Sequence, residues 1–168
     1  MEGEGSNREV AVESATPEAL KRYRDLLSSV FDQVDPKALE RGLDRLGPTT
    51  RFYSIGDSNS YASVLFVIPV TLAGVQMSGI GGVCTRQTSR GLGYGRRVLE
   101  RAIEDMSADG LDTLLWTRIP DYFARFGFLE RSGLFFSDAD GSSPMILFPD
   151  ERVRLAFDRL RGLPRDYF

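Results

Sequence analysis

An apolar strand pattern over residues 75–85 runs into Thr85-Arg86-Gln87-Thr88-Ser89-Arg90-Gly91-Leu92-Gly93-Tyr94-Gly95-Arg96-Arg97, an Arg-Gly loop that opens a helix. A strand, a glycine loop and a helix in that order make an anion-binding device. Glycine lets backbone amides crowd at φ values that other residues resist, and the amides at a helix start point at whatever the loop encloses. The chain is acidic overall, with a net charge of -3, yet Arg86, Arg90, Arg96, Arg97 and Arg101 gather here against one acidic residue, Glu100. The expected guest is a polyphosphate.

Spacing narrows the choice. A dinucleotide fingerprint requires Gly-x-Gly-x-x-Gly, whereas the glycines run Gly91-x-Gly93-x-Gly95, and no Gly-Lys-Ser/Thr follows as a P-loop requires. Residues Arg90-Gly91-Leu92-Gly93-Tyr94-Gly95 match Arg/Gln-x-x-Gly-x-Gly/Ala. This resembles the pyrophosphate loop with which the GCN5-related N-acetyltransferase (GNAT) superfamily grips acetyl-coenzyme A. About thirty residues on, Ile119-Pro120-Asp121-Tyr122-Phe123-Ala124-Arg125-Phe126-Gly127-Phe128 is similar to the superfamily's second signature, a short helix ending in Tyr-x-x-x-Gly-Phe. The joint resemblance covers roughly residues 8–149.

Composition removes other chemistries. With no histidine and the single cysteine Cys84, the chain cannot build a Ser-His or Cys-His triad, an internal disulfide or a Cys-based zinc site, so no metal is expected. The acidic balance argues against nucleic acid. The N-terminus does not read as a leader and no apolar segment is long enough to span a bilayer, so a cytoplasmic protein without membrane contact is expected. At 168 residues one domain suffices, with residues 1–7 disordered and a helical extension over 151–168.

Periodicity gives the element order. Residues 8–14 read as an edge-like strand with Val10 and Val12 as its apolar positions. Thr16-Pro17-Glu18 then caps a helix striped by Leu20, Tyr23, Leu27, Val30 and Phe31. A second helix starts at Asp35-Pro36 and points Leu39, Leu43 and Leu46 inward before Gly47-Pro48. Strands follow at 52–55, 61–72 and 75–85, with turn chemistry at 56–60 and at Ala73-Gly74; Pro69 suggests an irregularity or a strand end. A helix over 94–107 buries Val98, Leu99, Ala102, Ile103 and Met106 and stops at Asp109-Gly110. A strand at 111–117, a short helix at 121–126, strands at 128–133 and 143–148 and a helix at 151–161 complete the pattern. The fold class is α/β (α+β), a mixed sheet of about seven strands flanked by helices, which is also what the resemblance implies.

The resemblance further implies that the amides of Leu92 to Arg96, with Gly93, Tyr94 and Gly95 between them, hold a diphosphate, and that Arg90 and Gly91 begin that grip. The pantetheine arm would pair along the preceding strand, making Val83, Cys84 and Thr85 cofactor contacts, Val83 and Thr85 through their backbone. Gly79, Gly81 and Gly82 suit a bulge or close backbone approach there. The Cys84 side chain itself reads as a small buried apolar group rather than a nucleophile. Arg97/Glu100 and Arg101/Asp105 read as surface pairs worth about 0.2–0.5 kcal/mol each.

One departure stands out. The tyrosine that protonates the departing thiolate in many members falls at Phe123, and Tyr122, the catalytic candidate, lies one residue early, about 100° around a helix. Asp32, Asp35, Asp57, Asp121 and the carboxylate of Phe168 are unranked candidates for a general base. Two functions are therefore carried forward. One is an acetyl-coenzyme A-dependent N-acetyltransferase acting on a primary amine of a small molecule or peptide by direct attack. The other is a non-catalytic acyl-coenzyme A binding or sensing module. Homodimerisation is left open.

Overall fold

A computed structural model describes residues 9–31, 36–72, 74–130 and 143–147. The expected disorder at 1–7, the helix at 151–161 and the outer parts of the last two strands lie outside them. The elements are β1 (Ala11–Ser14), α1 (Pro17–Val30), α2 (Pro36–Asp44), β2 (Arg51–Gly56), β3 (Tyr61–Leu72), β4 (Val75–Thr85), α3 (Tyr94–Ala108), β5 (Asp112–Thr117), α4 (Pro120–Ala124), β6 (Leu129–Glu130) and β7 (Ser143–Leu147). They form a mixed seven-stranded sheet in the order β1-β2-β3-β4-β5-β7-β6. β4 and β5 run parallel from Met77↔Asp112 to Ile80↔Leu115, while the β1/β2, β2/β3, β5/β7 and β6/β7 pairs are antiparallel.

Two compact units divide the chain, one of residues 1–68 with 82–102, the other of 69–81 with 103–168. In the first, α1 begins at the expected cap: Thr16 accepts from the Ala19 amide at 3.2 Å and Pro17 fills the first turn, a cap worth about 1 kcal/mol. Its core joins Ala19, Tyr23 and Leu26 of α1 to Leu43 of α2, Phe52 of β2, Tyr61 and Val64 of β3 and Cys84 of β4. The buried face of α1 is thus turned from the expected stripe, with Leu20, Leu27 and Val30 at its margin. Phe31 is exposed because it is the C-cap, with extended backbone (φ -116°, ψ 99°) outside the helical register.

β1 also presents the face opposite to the expected one. Val12 is exposed and Glu13 is turned in, where Arg22 Nη2 donates to its Oε2 at 2.6 Å and the Tyr61 hydroxyl to its Oε1 at 2.6 Å. The Arg22 guanidinium lies 4.7 Å above the Tyr61 ring. A partly buried carboxylate held by two donors outweighs one valine on a four-residue strand. At the β2–β3 turn, Asp57 Oδ1 accepts the Asn59 and Ser60 amides, each at 2.8 Å. Pro69 lies within β3 rather than ending it.

In the second unit, Leu114, Leu115, Met145, Ile146, Met106, Phe123 and Phe128 are buried, and α4 lies against β6 and β7. α3 ends as its sequence suggests: Gly110 is left-handed (φ 69°) and the Leu111 amide reaches back to the Met106 carbonyl at 3.0 Å.

Candidate active site

The C-terminal end of β4 is tied to β3 before the loop departs. Ser63 Oγ donates to the Cys84 carbonyl at 3.2 Å and lies 2.8 Å from Thr85 Oγ1. The Arg86 amide donates to the Ala62 carbonyl at 2.8 Å, and Arg86 Nη2 to the Tyr61 carbonyl at 3.2 Å. A 3-10 turn at Gln87–Ser89, which periodicity did not signal, then folds the chain so that the Arg90 amide reaches the Gln87 carbonyl at 3.2 Å.

Beyond it, Gly91 (φ 80°) and Gly93 (φ 74°) are left-handed, and a Cβ on either would meet nothing within 4 Å. Backbone conformation, not crowding, demands glycine there. Gly95 differs: it has no positive φ and belongs to the first turn of α3. That helix makes its first backbone bond from Arg97 to the Gly93 carbonyl at 3.1 Å, so its opening amides face the loop side, as at any helix start. Tyr94 is buried and anchors the turn, while Leu92 is 53% exposed. Arg90 and Arg96 are exposed, and Glu100 pairs with Arg96 at 2.7 Å rather than with the expected Arg97.

Of the three glycines in β4, Gly82 alone is left-handed (φ 58°). A Cβ there would overlap the Tyr23 hydroxyl and stand 2.9 Å from Phe66 Cε1. The Tyr23 ring is 4% exposed and held 5.3 Å from Phe52 and 5.9 Å from Phe66. Burial, then the neighbouring Cys84, raises its phenol well above the ordinary value. Cys84 is buried between half-buried Val83 and Thr85, and burial pushes its thiol up to about 11 against the pull of Arg90 and Arg86. A neutral thiol at physiological pH is no nucleophile.

Residues 83–85 and 90–96 therefore form one contiguous structure in the first unit. Tyr122 belongs to the second. It is half-buried on α4, with its ring 5.1 Å from Phe123 and 5.4 Å from Phe126, and the Arg125 guanidinium 5.2 Å from it. Phe123 is 4% exposed and packs edge-on against Phe128 at 6.0 Å. Gly127 (φ 89°) provides the left-handed stop expected of Tyr-x-x-x-Gly-Phe. Among the described residues no cluster of three or more His, Cys, Asp or Glu could hold a metal, and no helix is long and apolar enough to cross a membrane.

Residues 11–130 match the family model described as "Acetyltransferase (GNAT) domain". The chain belongs to the GNAT acetyltransferase family. Solved structures share this GNAT fold. A GNAT family N-acetyltransferase from Escherichia coli in complex with CoA superposes with a TM-score of 0.69 at 16% identity, covering 96% of this chain and 92% of the other. An acyl-CoA N-acyltransferase from Pseudomonas aeruginosa gives 0.67 at 20% identity, covering 83% and 99%. A conserved Enterococcus faecalis protein ("Probable N-Acyltransferase") gives 0.59 at 21% identity over 72% of this chain, which spans 32% of that longer one. No curated protein matches the sequence.

Among the base candidates of this GNAT domain, Asp57 is engaged in its turn and Asp121 is exposed at the start of α4. Asp32, Asp35 and Phe168 lie outside the described residues. Two carboxylates were missed by sequence reading: Glu13, described above, and Asp112. Asp112 is 3% exposed, neither oxygen has a hydrogen-bond partner among the described residues, and burial pushes its carboxyl up to about 6. Asp112 falls inside the strand expected at 111–117, where one carboxylate gives no sign of its own burial, and only the packing of β5 reveals it.

Proposed function

We propose that this GNAT domain transfers an acetyl group from acetyl-coenzyme A to a primary amine of a small molecule or peptide by direct attack, without a covalent enzyme intermediate. The observation that carries the reading is the pair of left-handed glycines, Gly91 and Gly93, set between exposed Arg90 and the first turn of α3. The loop turns backbone toward one anion site, the helix dipole adds its positive end, and Arg90 supplies mobile charge. A fold neighbour that holds CoA supports the same guest.

In this reading the amides of Leu92 to Arg96 take the diphosphate, and the arm lies along β4 against the backbone of Thr85 and Val83. Bound acetyl-coenzyme A supplies an activated acyl group whose leaving thiol has a pKa of only about 8.5. Departure therefore needs little protonation, which fits a phenylalanine at position 123. An acceptor amine that arrives neutral attacks directly, and its surplus proton passes to water. Buried Phe123 favours one further reading, a domain that binds acyl-coenzyme A without turning it over.

Incubation with acetyl-coenzyme A and a broad amine panel, following free thiol, separates the two. Gly93→Asp sets a side chain in a left-handed position and a negative charge beside the diphosphate, and should abolish coenzyme A binding in calorimetry. Unchanged affinity in that variant would sink the assignment.

A further inference from the structure

The Tyr23 hydroxyl has no place in the scheme above and no hydrogen bond among the described residues. The ring is 4% exposed, yet the hydroxyl is not among the fully buried polar atoms that lack a partner, so its oxygen is open to an incoming group. Phenylalanine would satisfy the same ring contacts with Phe52 and Phe66, so packing alone does not explain a tyrosine here. The hydroxyl is set against Gly82, the one residue of β4 whose backbone is left-handed and which has no side chain to stand in the way. Burial raises the phenol, so it keeps its proton throughout the physiological range and acts as a donor rather than an acid.

What arrives at Gly82 follows from the direction of the arm, which rests on the proposed function. From the anion loop a chain carrying two amides can pair along β4 past Thr85 and Val83. A strand rises about 3.3 Å per residue, so the three residues from Thr85 to Gly82 span about 10 Å, and the far end of the arm is its thioester. We propose that Tyr23 is a catalytic residue whose O–H donates a hydrogen bond to the thioester carbonyl oxygen of bound acetyl-coenzyme A at Gly82. As the amine nitrogen bonds to the carbonyl carbon, the π electrons move onto that oxygen and the phenol stabilises the charge. As the carbonyl re-forms, the C–S bond breaks, the thiolate leaves with the electron pair, and the ammonium proton goes to water. Tyr23 gives up no proton at any stage.

The test compares acetyl-coenzyme A with S-ethyl-coenzyme A, a thioether of equal length without the carbonyl, by calorimetry on the parent protein and on Tyr23→Phe. The parent should prefer acetyl-coenzyme A by about 2- to 10-fold, the worth of one hydrogen bond. Tyr23→Phe should keep the thioether affinity, lose the preference, and melt no lower than the parent. Turnover with any amine accepted by the parent should fall about 10²–10³-fold. The proposal is overturned if the parent shows no preference, if the preference survives in Tyr23→Phe, or if the variant melts several degrees lower, which would reveal a partner for the hydroxyl within the protein. Should the parent bind neither compound, nor coenzyme A itself, the coenzyme A reading falls and this proposal with it. Intact binding with an unchanged preference removes Tyr23 alone.

Discussion

Replacing Asp112 by asparagine should stabilise the protein at neutral pH and lose that advantage in acid. The carboxyl is buried at the start of β5 without a hydrogen-bond partner among the described residues, and its pKa is raised from 3.8 to about 6. A tenfold change in proton affinity is worth about 1.36 kcal/mol, so a rise of that size penalises the ionised native state by about 3 kcal/mol. Well below pH 3.8 the group is protonated in both the folded and the unfolded chain and contributes nothing. Between pH 4 and 6 the unfolded chain releases the proton while the native state keeps it, so stability falls as pH rises, and above 6 the loss is complete. An asparagine side chain would not titrate. The stability gain of Asp112→Asn over the parent should therefore be about 3 kcal/mol larger at pH 7.5 than at pH 3, whatever fixed cost the buried amide brings. Urea unfolding across that range measures it directly. For a chain of this size the same difference is about 6–12 °C in melting temperature. A gain that does not vary with pH, or that grows in acid, would refute the reasoning by showing that the carboxylate is held ionised by a cation.

Three further substitutions probe the site. Arg90→Ala should weaken coenzyme A binding about 5-fold at low ionic strength and less in high salt, because an exposed guanidinium is screened; a loss insensitive to salt in calorimetry would count against contact with phosphate. Gly82→Ala should destabilise by about 2–4 kcal/mol, combining left-handed strain with overlap against Tyr23 and Phe66. Thermal melts should show part of that loss recovered in the Gly82→Ala/Tyr23→Phe double variant, whereas strict additivity would disprove the overlap. At the family's acid position, Phe123→Tyr should leave coenzyme A affinity nearly unchanged and not lower turnover. Tyr122→Phe should cut turnover about 10²-fold or more only if Tyr122 serves as the acid, so steady-state kinetics of the pair assigns or dismisses it.

Local signals were legible where one residue type answers one geometric demand. Gly91, Gly93, Gly110 and Gly127 are left-handed because the loop and the helix stops they close require it, and the bounds of β3 and β4 follow from long apolar runs between turn residues. The anion loop could be read for the same reason. What escaped depends on partners remote in sequence. Glu13 turns inward because Arg22 and Tyr61 await it, 9 and 48 positions away, and neither is visible from alternation along 8–14. Tyr23 reads as one more apolar stripe residue until β4 is laid against α1. The burial of Asp112 is likewise a property of the assembled strand, and the 3-10 turn at Gln87–Ser89 has no periodicity short enough to detect.

The sheet order carries a consequence for how the chain is made. β7 lies between β5 and β6, so β5 receives its antiparallel partner only after residues 118–142 have been synthesised, and β6 pairs with β7. At about 5–20 residues per second those 25 positions take about 1–5 s. From the emergence of β5, which carries Leu114 and Leu115, until those positions and β7 have followed it out of the ribosome, its edge of amides and carbonyls lies open, the kind of template on which stray strands assemble. A pause while residues 118–142 are leaving the ribosome leaves the edge uncovered for as long as it lasts, so the pace at which they emerge bears on the yield of folded protein.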